Sequence, residues 1–247
     1  MRAIIVTGSS RGIGAATAIM AAEQGYAVCV NYRSNKDAAN KVVATIVENG
    51  GQAVPISADV SKQDEVEALF DASEATLGPT CALVNNAGVL ELQSQFRDID
   101  AQRFRRVLET NVMGTFFCLQ EAIRRMSLSK GGSGGAIVNV SSVAARTGAP
   151  NEYVDYAASK AAIDTITAGV AREVAPDGIR VNIVRPGFIY TDLHAAGGEP
   201  DRVDRLATGI PLQRGGQPEE VAKAILWLLS DQSRYAVGAS LDVTGGV

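Results

Sequence analysis

The stretch Ala3-Ile-Ile-Val-Thr-Gly-Ser-Ser-Arg-Gly-Ile-Gly14 decides the fold of this chain. A short apolar run, typical of a buried strand, enters a turn with glycines at positions 8, 12 and 14, and a helical pattern follows. Glycines at such a junction permit a tight turn, let the backbone approach a pyrophosphate and allow the helix to pack closely on the strand. The helix N-terminus then attracts the phosphate charge. The stretch therefore predicts a dinucleotide-binding strand–turn–helix unit.

The rest of the chain continues this alternation of strand and helix. The strand patterns are mostly continuous apolar runs, which indicate a parallel sheet covered by helices on both faces. Predicted strands lie at 3–6, 27–31, 52–57, 82–85, 136–141, 180–185 and 240–243. Predicted helices lie at 13–24, 36–49, 62–77, 101–128, 153–175 and 218–229. This order predicts one α/β domain over residues 1–247, built on a doubly wound, parallel, seven-stranded sheet with right-handed crossovers.

Composition excludes several classes of partner. The chain has 247 residues, of which 46% are hydrophobic and 20% charged, and its net charge is −4. Because no domain-wide positive field is available to hold a polyanion, we expect no nucleic-acid partner. The first apolar run ends at Thr7-Gly8, too early for a secretory signal. No segment approaches the roughly 20 apolar residues that span a bilayer, so we also expect no membrane association.

The cysteines point to a reducing compartment. Cys29, Cys81 and Cys118 form an odd, widely separated set without metal-ligand spacing, and each lies in an apolar stretch. Such cysteines are typical of buried, reduced core residues. We therefore expect a cytoplasmic protein without a metal site.

The segment 190–217 differs from the rest of the chain. It is rich in glycine, proline and charge, and it lies between the penultimate and the last major elements. Long irregular segments at such positions often close over a substrate. The composition predicts a mobile substrate lid.

Tyr156 and Lys160 are the first candidate catalytic pair. Four residues apart on a predicted helix, their side chains share one face, about 5–6 Å apart at Cβ. An ammonium at that distance stabilises phenolate and is expected to lower the tyrosine pKa from its usual value of roughly 10. The pair therefore indicates a proton donor and acceptor for use near neutral pH.

Four motifs in this order resemble one family over essentially the whole chain. They are Gly8-x-x-x-Gly12-x-Gly14, Asn85-Asn86-Ala87-Gly88, Tyr156-x-x-x-Lys160 and Arg185-Pro186-Gly187. Together they resemble the short-chain dehydrogenase/reductases. The segments 153–160 and 185–191 are most similar to an uncharacterised bacterial oxidoreductase group, with glucose 1-dehydrogenases and 3-oxoacyl carrier-protein reductases more distant. The resemblance implies a Rossmann-like fold and NAD(P)-dependent interconversion of a carbonyl and a secondary alcohol.

Cofactor choice is expected at the end of the second strand. NAD enzymes place an acid there for the ribose 2′-hydroxyl, whereas NADP enzymes supply positive charge. Here the residues are Asn31-Tyr32-Arg33-Ser34, without an acid, and Arg11 lies in the glycine-rich turn. Two guanidiniums can clamp a 2′-phosphate, although both can also be ordinary solvated surface groups. We predict NADP as the preferred cofactor, with NAD possible.

The resemblance also implies a set of cofactor contacts. Asp59 and Val60 are expected beside the adenine, and Ile189 and Thr191 beside the carboxamide. Asp59 can instead be a turn acid before a helix, and the Asn85–Gly88 turn can be mainly structural. The complete expected set is Gly8, Ser10, Arg11, Gly12, Ile13, Gly14, Asn31, Arg33, Asp59, Val60, Asn85, Ala87, Gly88, Tyr156, Lys160, Pro186, Gly187, Ile189 and Thr191.

The same resemblance assigns the remaining catalytic positions. Ser142, after the fifth strand, is expected to hold the substrate oxygen, with Ser141 as the alternative because only one of the two faces the cleft. Asn111 is expected either to connect Lys160 to solvent through a proton relay or to serve a plain helix-kink role. Tyr156 exchanges the proton with the substrate oxygen. The loop from Ser142 to Tyr156 is slightly longer than is usual in the family, which is expected to reshape the pocket.

Polar residues at the predicted pocket rim favour a small, polar substrate such as a sugar, polyol or hydroxy-carbonyl compound. They are Glu152, Asp155, His194, Glu199, Asp201 and Arg202. A merely solvated lid would carry the same residues. The single histidine is expected to be a lid or substrate-contact residue rather than a catalytic base.

Two other functions stay open at this point. One is reduction of 3-oxoacyl carrier-protein substrates, and the other is a non-catalytic NADP-binding regulator. The resemblance further implies a homotetramer built on the long helices at 101–128 and 153–175.

Overall fold

Seven parallel strands form one sheet in the computed structural model, which describes residues 2–247. The strands are β1 (Arg2–Val6), β2 (Tyr26–Tyr32), β3 (Gln52–Ser57), β4 (Thr80–Asn85), β5 (Gly135–Val140), β6 (Ile179–Pro186) and β7 (Ser240–Val243). Their spatial order is β3-β2-β1-β4-β5-β6-β7. The strand order reverses between β1 and β4, and a ligand cleft is expected there at the carboxyl ends of the strands. The predicted fold class is confirmed.

Ten α-helices connect or flank these strands. They are α1 (Gly12–Glu23), α2 (Lys36–Glu48), α3 (Gln63–Leu77), α4 (Ala101–Leu108), α5 (Gly114–Met126), α6 (Ala144–Thr147), α7 (Val154–Val174), α8 (Asp192–Ala196), α9 (Arg202–Leu206) and α10 (Pro218–Leu229). Side chains cap several of their first turns. Asn35 accepts from Ala38 N at the start of α2, and Gln217 and Glu220 form a capping box around Pro218 at the start of α10. Such caps satisfy backbone donors that have no intrahelical partner.

The two faces of the sheet carry two separate hydrophobic cores, because successive strand residues point to opposite sides. Ile4 and Val6 of β1 face a core built with α1, α2 and α10. Ala3 and Ile5 face the other core, which contains Phe70 of α3 and side chains of α5 and α7. Burial on both faces explains why the strand sequences are continuously apolar.

One predicted helix is interrupted. The sequence predicts a continuous helix at 101–128, whereas the structure has α4, a π-helical turn at Glu109–Met113 and then α5. Asn111 is fully buried within that turn. A π-turn inside a helix commonly marks a functional position, and the periodicity of apolar residues does not reveal it.

The predicted lid contains α8 and α9, and backbone contacts hold its two ends together. Ile189 and Gly216 form an isolated parallel bridge, Tyr190 N donates to Gly216 O at 3.0 Å, and Gly216 N donates to Phe188 O at 2.9 Å. Both ends of the segment are therefore anchored to each other beside the C-terminal end of β6. Its mobility stays a prediction.

Within residues 2–247, no helix is both long and apolar enough to cross a membrane. The same residues contain no cluster of three or more histidine, cysteine or acidic side chains suited to a metal ion.

Phe70 offers a test of the second core. Phe70 is fully buried, and Phe70→Ala is expected to lower the free energy of unfolding by about 3–5 kcal/mol through lost burial and a residual cavity. Phe96, which is 73% exposed, provides the matched control, and Phe96→Ala should change stability little. Chemical denaturation measures both variants. Equal effects would contradict this account of the core.

Candidate active site

A large cleft opens at the carboxyl ends of the strands, where the strand order reverses. Its volume is about 610 Å³, within the range of small-molecule sites. Loops that follow six of the strands, β1 to β6, line it, together with the first half of α7 and part of the predicted lid. These lining residues fall mainly in the ranges 8–13, 31–35, 58–60, 86–90, 140–144 and 186–194.

The glycine-rich turn forms one end of this cleft. Gly8 has a φ of +60°, and a Cβ on Gly14 would lie 2.6 Å from Gly8 O, so other side chains are strained or excluded at both positions. The first backbone bond of α1 runs from Ala15 N to Arg11 O at 3.2 Å. The amides of Gly12 and the next two residues therefore lie before the first intrahelical bond and, at a helix N-terminus, can hold a phosphate. This cradle fits a dinucleotide pyrophosphate.

Two side chains lock the glycine-rich turn to the loop after β4. The Thr7 hydroxyl accepts from the backbone N of Asn86 and of Ala87, each at 3.0 Å. The Asn86 side chain in turn donates to Thr7 O at 2.9 Å and to Gly8 O at 3.1 Å. Asn31 adds a third connection, because its Oδ1 accepts from Gly8 N at 3.1 Å. The cleft floor is thus held by hydrogen bonds between turns.

The far wall of this end carries exposed positive charge. Arg33 and Arg11 both line the cleft and are exposed. Arg11 lies 3.9 Å from Asp192, but both side chains are more than half exposed, so the pair is weak. Asp59 also lines the cleft, and its Oδ1 accepts from Ser61 N and Ser61 Oγ at 3.0 and 2.7 Å. Asp59 therefore stabilises the turn before α3, as the sequence analysis considered, and its position in the cleft leaves a contact with the adenine open as well.

The opposite end of the cleft brings the predicted catalytic side chains together. Tyr156 and Lys160 line the same wall on α7, and Lys160 Nζ lies 5.5 Å from the centre of the Tyr156 ring. Lys160 Nζ also donates to Val140 O at 2.8 Å, which fixes the ammonium against the end of β5. The Ser142 hydroxyl lies near the Tyr156 phenol and acts to lower its pKa.

The two serines after β5 have different roles. Ser141 is buried, and its hydroxyl donates to Lys160 O at 3.2 Å. Ser142 Oγ accepts from Ala144 N at 3.1 Å and keeps its own proton available. This arrangement favours Ser142 over Ser141 as the group that holds a substrate oxygen.

Burial controls the protonation of the catalytic pair. Burial raises the pKa of Tyr156 to about 12, and the nearby Ser142 hydroxyl only partly opposes it. Burial also lowers the pKa of Lys160 to about 8, opposed by the charge of Asp164. The sequence-based expectation of a lowered tyrosine pKa is therefore not met, because desolvation of the phenolate is the largest effect. At neutral pH the pair is a phenol beside a mostly charged ammonium.

The side chain of Asn111 makes three hydrogen bonds. Its Oδ1 accepts from Val89 N at 2.8 Å, and its Nδ2 donates to Val89 O at 3.1 Å and to Ser159 Oγ at 3.0 Å. A Cβ placed on Gly88 would lie 3.4 Å from Asn111 Oδ1 and 3.5 Å from Lys160 Nζ, so the three positions adjoin. The Asn111 side chain therefore pins the loop after β4 against α7.

Comparisons with known proteins agree on one family. The family model described as "Enoyl-(Acyl carrier protein) reductase" matches residues 8–247. The "Uncharacterized oxidoreductase YgfF" of Escherichia coli is 57% identical over 246 residues, which cover 100% of both chains. The 3-oxoacyl-[acyl-carrier-protein] reductase FabG of Staphylococcus aureus is 38% identical over 246 residues, 100% of this chain and 98% of that one.

A solved structure extends the agreement to the fold. The short-chain type dehydrogenase/reductase of Mycobacterium marinum superposes with a TM-score of 0.92 at 36% identity, covering 99% of this chain and 94% of the other. The chain belongs to the short-chain dehydrogenase/reductase family.

Most residues expected from the sequence meet in the cleft of this short-chain dehydrogenase/reductase, but three do not line it. Gly14 packs behind the glycine-rich turn, and Asn111 lies behind Val89. Asn85 is buried, and its Nδ2 donates to Asn139 Oδ1 at 2.8 Å. The Asn85 side chain therefore has the structural role that the sequence analysis considered for this turn. The Asn86 amide also performs the structural role considered for that turn. Thr7 was not predicted, although the Thr-Gly pair at the start of the glycine-rich turn was a usable signal.

The pocket rim of this short-chain dehydrogenase/reductase contains only part of the polar set expected there. Glu152, His194 and Arg202 line the cleft. Asp155 does not, because it is buried and its Oδ2 accepts from Arg103 Nε at 2.7 Å. The expectations for the remaining two also change: Glu199 binds Arg202 from outside the cleft, and Asp201 is exposed away from it. Sequence proximity to the lid does not distinguish these positions.

The single histidine lies in the cleft wall. His194 Nε2 lies 3.1 Å from Ile189 O, and because a carbonyl only accepts, the neutral ring donates from Nε2. Burial lowers the pKa of His194, with Arg202 adding to the effect. At neutral pH the ring is therefore uncharged.

Gly14 provides a test of the phosphate cradle. A Cβ at this position would lie 2.6 Å from Gly8 O and 2.8 Å from Ser9 Cα, so Gly14→Ala must displace the turn. We expect the affinity for NADPH, measured by cofactor fluorescence, to fall by roughly tenfold or more. Gly169 on α7 is the matched control, since a Cβ there meets no atom of the described chain within 4 Å. Unchanged binding in Gly14→Ala would contradict the cradle.

Proposed function

We propose that this protein interconverts a carbonyl compound and a secondary alcohol with a nicotinamide dinucleotide, using Tyr156 as general acid and base. One observation carries the proposal. The cleft that begins at the Gly8 cradle ends at Ser142, Tyr156 and Lys160, so a dinucleotide held by its pyrophosphate reaches toward the proton donor. The bound cofactor supplies or accepts the hydride.

The protein residues supply the proton and hold the oxygen. Tyr156 carries its proton at neutral pH, because burial raises its pKa, so it can protonate a developing alkoxide. Ser142 donates to the same oxygen. Lys160, fixed on Val140 O, places a positive charge beside the phenol and stabilises the phenolate that forms when the proton leaves. The reverse direction returns the proton to Tyr156.

The backbone carbonyl of Asn111 is available for a proton relay. Val89 and Ser159 occupy both N–H donors of the side chain and one lone pair of its Oδ1. Its carbonyl oxygen accepts from Thr115 Oγ1 at 2.8 Å and retains a second lone pair. We therefore assign Asn111 a relay role through its carbonyl, with the side chain holding the π-turn in place.

NADP is the proposed preferred cofactor. Arg33 and Arg11 border the cleft next to the end of β2, and no acidic residue occupies positions 31–34. A 2′-phosphate there would gain charge-assisted hydrogen bonds, whereas a ribose 2′-hydroxyl lacks its usual carboxylate partner.

Two broader properties complete the proposal. The exposed apolar residues Phe104, Met113 and Phe116 follow one another along α4, the π-turn and α5, and their exposed fractions are 41%, 40% and 39%. Such residues suit the helix-to-helix contacts of a homotetramer. All three cysteines are free thiols in the described part of the chain, which suits a cytoplasmic protein.

A second candidate is reduction of a 3-oxoacyl group on a carrier protein. The 38% identity to the Staphylococcus aureus reductase over 246 residues favours it. Both candidates use the same proton chemistry, so they differ only in the substrate that the cleft accepts.

Tyr156→Phe tests the reaction. The variant keeps the ring but cannot donate a proton, and kcat for carbonyl reduction should fall by about 10²-fold or more. The loss of nicotinamide absorbance measures turnover, and cofactor fluorescence should show unchanged NADPH binding. Tyr235, which is fully exposed, is the control through Tyr235→Phe. Retained turnover in Tyr156→Phe would overturn the mechanism, and tight NADPH binding without turnover on any carbonyl by the wild type would favour a regulator.

Arg33→Ala tests cofactor preference. Loss of a charge-assisted contact should raise the KM for NADPH by roughly 10- to 100-fold while the KM for NADH stays nearly constant. Arg97, whose side chain is 79% exposed, serves as a matched arginine outside the cleft. A parallel change for both cofactors would argue against 2′-phosphate recognition.

A further inference from the structure

One guanidinium joins the segments that form the substrate end of the cleft. Arg202 is only 6% exposed, and its two terminal nitrogens bind both carboxylate oxygens of Glu152 at 3.1 and 2.5 Å. One of them also donates to Glu199 at 2.5 Å. The guanidinium carbon lies 5.1 Å from the ring centre of Tyr153 and 5.5 Å from that of Phe188. The two rings hold the guanidinium in place, and its two parallel hydrogen bonds leave the Glu152 carboxylate little freedom of orientation.

The same wall is tied to the neighbouring loops. Tyr153 Oη donates to Gly197 O in the predicted lid at 3.1 Å. Glu152 O accepts from Ser94 N, in the segment after β4, at 3.0 Å. The substrate end is thus a joined structure rather than a set of solvated side chains.

Glu152 is the charged group of this cluster that is most accessible from the cleft. Its side chain is 29% exposed and lines the cleft, whereas the Arg202 side chain is only 7% exposed. Glu199 binds the guanidinium from outside the cleft wall. An ionised carboxylate offers about four lone-pair positions, and Arg202 occupies two of those on Glu152. The remaining positions accept hydrogen bonds.

The surroundings decide which substrate group suits this acceptor. Tyr153, Phe188 and Leu193 line the same end and contribute mainly apolar surface, in which a hydrogen bond to a charged group is worth more than in water. Two carboxylates share the one buried guanidinium, so an approaching carboxylate or phosphate meets no free positive charge in this cluster.

Resting on the function proposed above, we propose that Glu152 selects uncharged, hydroxylated carbonyl compounds by accepting a hydrogen bond from a substrate hydroxyl. Arg202 is the positioning residue that fixes the carboxylate. The proposal disfavours 2-oxo acids, which carry a negative charge next to the carbonyl. It also disfavours plain ketones, which leave the acceptor without a donor.

Three ketones of similar size test this selection. Hydroxyacetone carries the hydroxyl, butan-2-one replaces it with a methyl group, and pyruvate replaces the hydroxymethyl group with a carboxylate. The wild-type kcat/KM, measured with NADPH, should be highest for hydroxyacetone, by roughly 10- to 100-fold over butan-2-one, and lowest for pyruvate. Glu152→Gln should reduce the preference for hydroxyacetone to within about threefold, because its one acceptor oxygen is uncharged and pairs with Arg202. The loss of the negative charge should also raise the relative rate with pyruvate.

Glu199→Gln is the matched control. It removes the same charge from the same guanidinium but at a position outside the cleft wall, so the wild-type order of substrates should remain. Arg202→Lys retains the positive charge but loses the planar pairing. It should lower the preference for hydroxyacetone while the NADPH affinity stays constant. Thermal unfolding checks each variant, and Glu152→Asp replaces Glu152→Gln if the latter is unfolded, with the same expected loss of preference.

The outcomes separate this proposal from the reaction on which it rests. Turnover of a carbonyl panel with a preference for pyruvate or butan-2-one would overturn the role of Glu152 and leave the reaction class intact. An unchanged preference in folded Glu152→Gln would do the same. Absence of turnover with all three ketones and with the wider panel would overturn both proposals.

Discussion

The lock between two turns, made by Thr7 and Asn86, is the interaction on which the site depends. Parallel strands β1 and β4 adjoin where the strand order reverses, and their following loops diverge to opposite sides of the sheet. The Thr7 hydroxyl holds the loop after β4 by two backbone amides, and the Asn86 amide holds the glycine-rich turn by two carbonyls. These four bonds pair polar backbone groups at the floor of the cleft.

Desolvation acts on the catalytic pair from both directions. Burial raises the pKa of Tyr156, which keeps the phenol protonated, and lowers the pKa of Lys160. Polar contacts partly oppose both shifts. Val140 O and the charge of Asp164 favour the ammonium. In the proposed reaction, a protonated phenol beside a held cation donates its proton to the forming alkoxide. The neighbouring charge therefore acts mainly after the proton has left.

At the proposed substrate end, the positive charge of buried Arg202 is neutralised by two carboxylates of the cleft wall and its surroundings. Arg202 lies between Tyr153 and Phe188 and binds Glu152 and Glu199, which come from different parts of the chain. A buried cation of this kind is tolerated only because its partners are close and well oriented. The arrangement leaves one carboxylate, that of Glu152, at the cleft surface.

The sequence by itself determined the fold class and predicted the residues that we propose as the main catalytic groups. Continuous apolar strands, the spacing of Gly8, Gly12 and Gly14, and the four-residue spacing of Tyr156 and Lys160 are local patterns that survive in any arrangement of the chain. Asp155 and Asn85 show where such reasoning fails, because each has a buried partner far away in sequence.

Only the tertiary structure decided which distant residues contact these groups and how deeply each group is buried. The π-turn at Asn111, the choice between Ser141 and Ser142 and the charge cluster around Arg202 all depend on long-range contacts. The same holds for the pKa of Tyr156, because burial of the phenol raises it more than the nearby Ser142 hydroxyl lowers it. Residue spacing places the two groups side by side, but the surrounding protein determines how much water each retains.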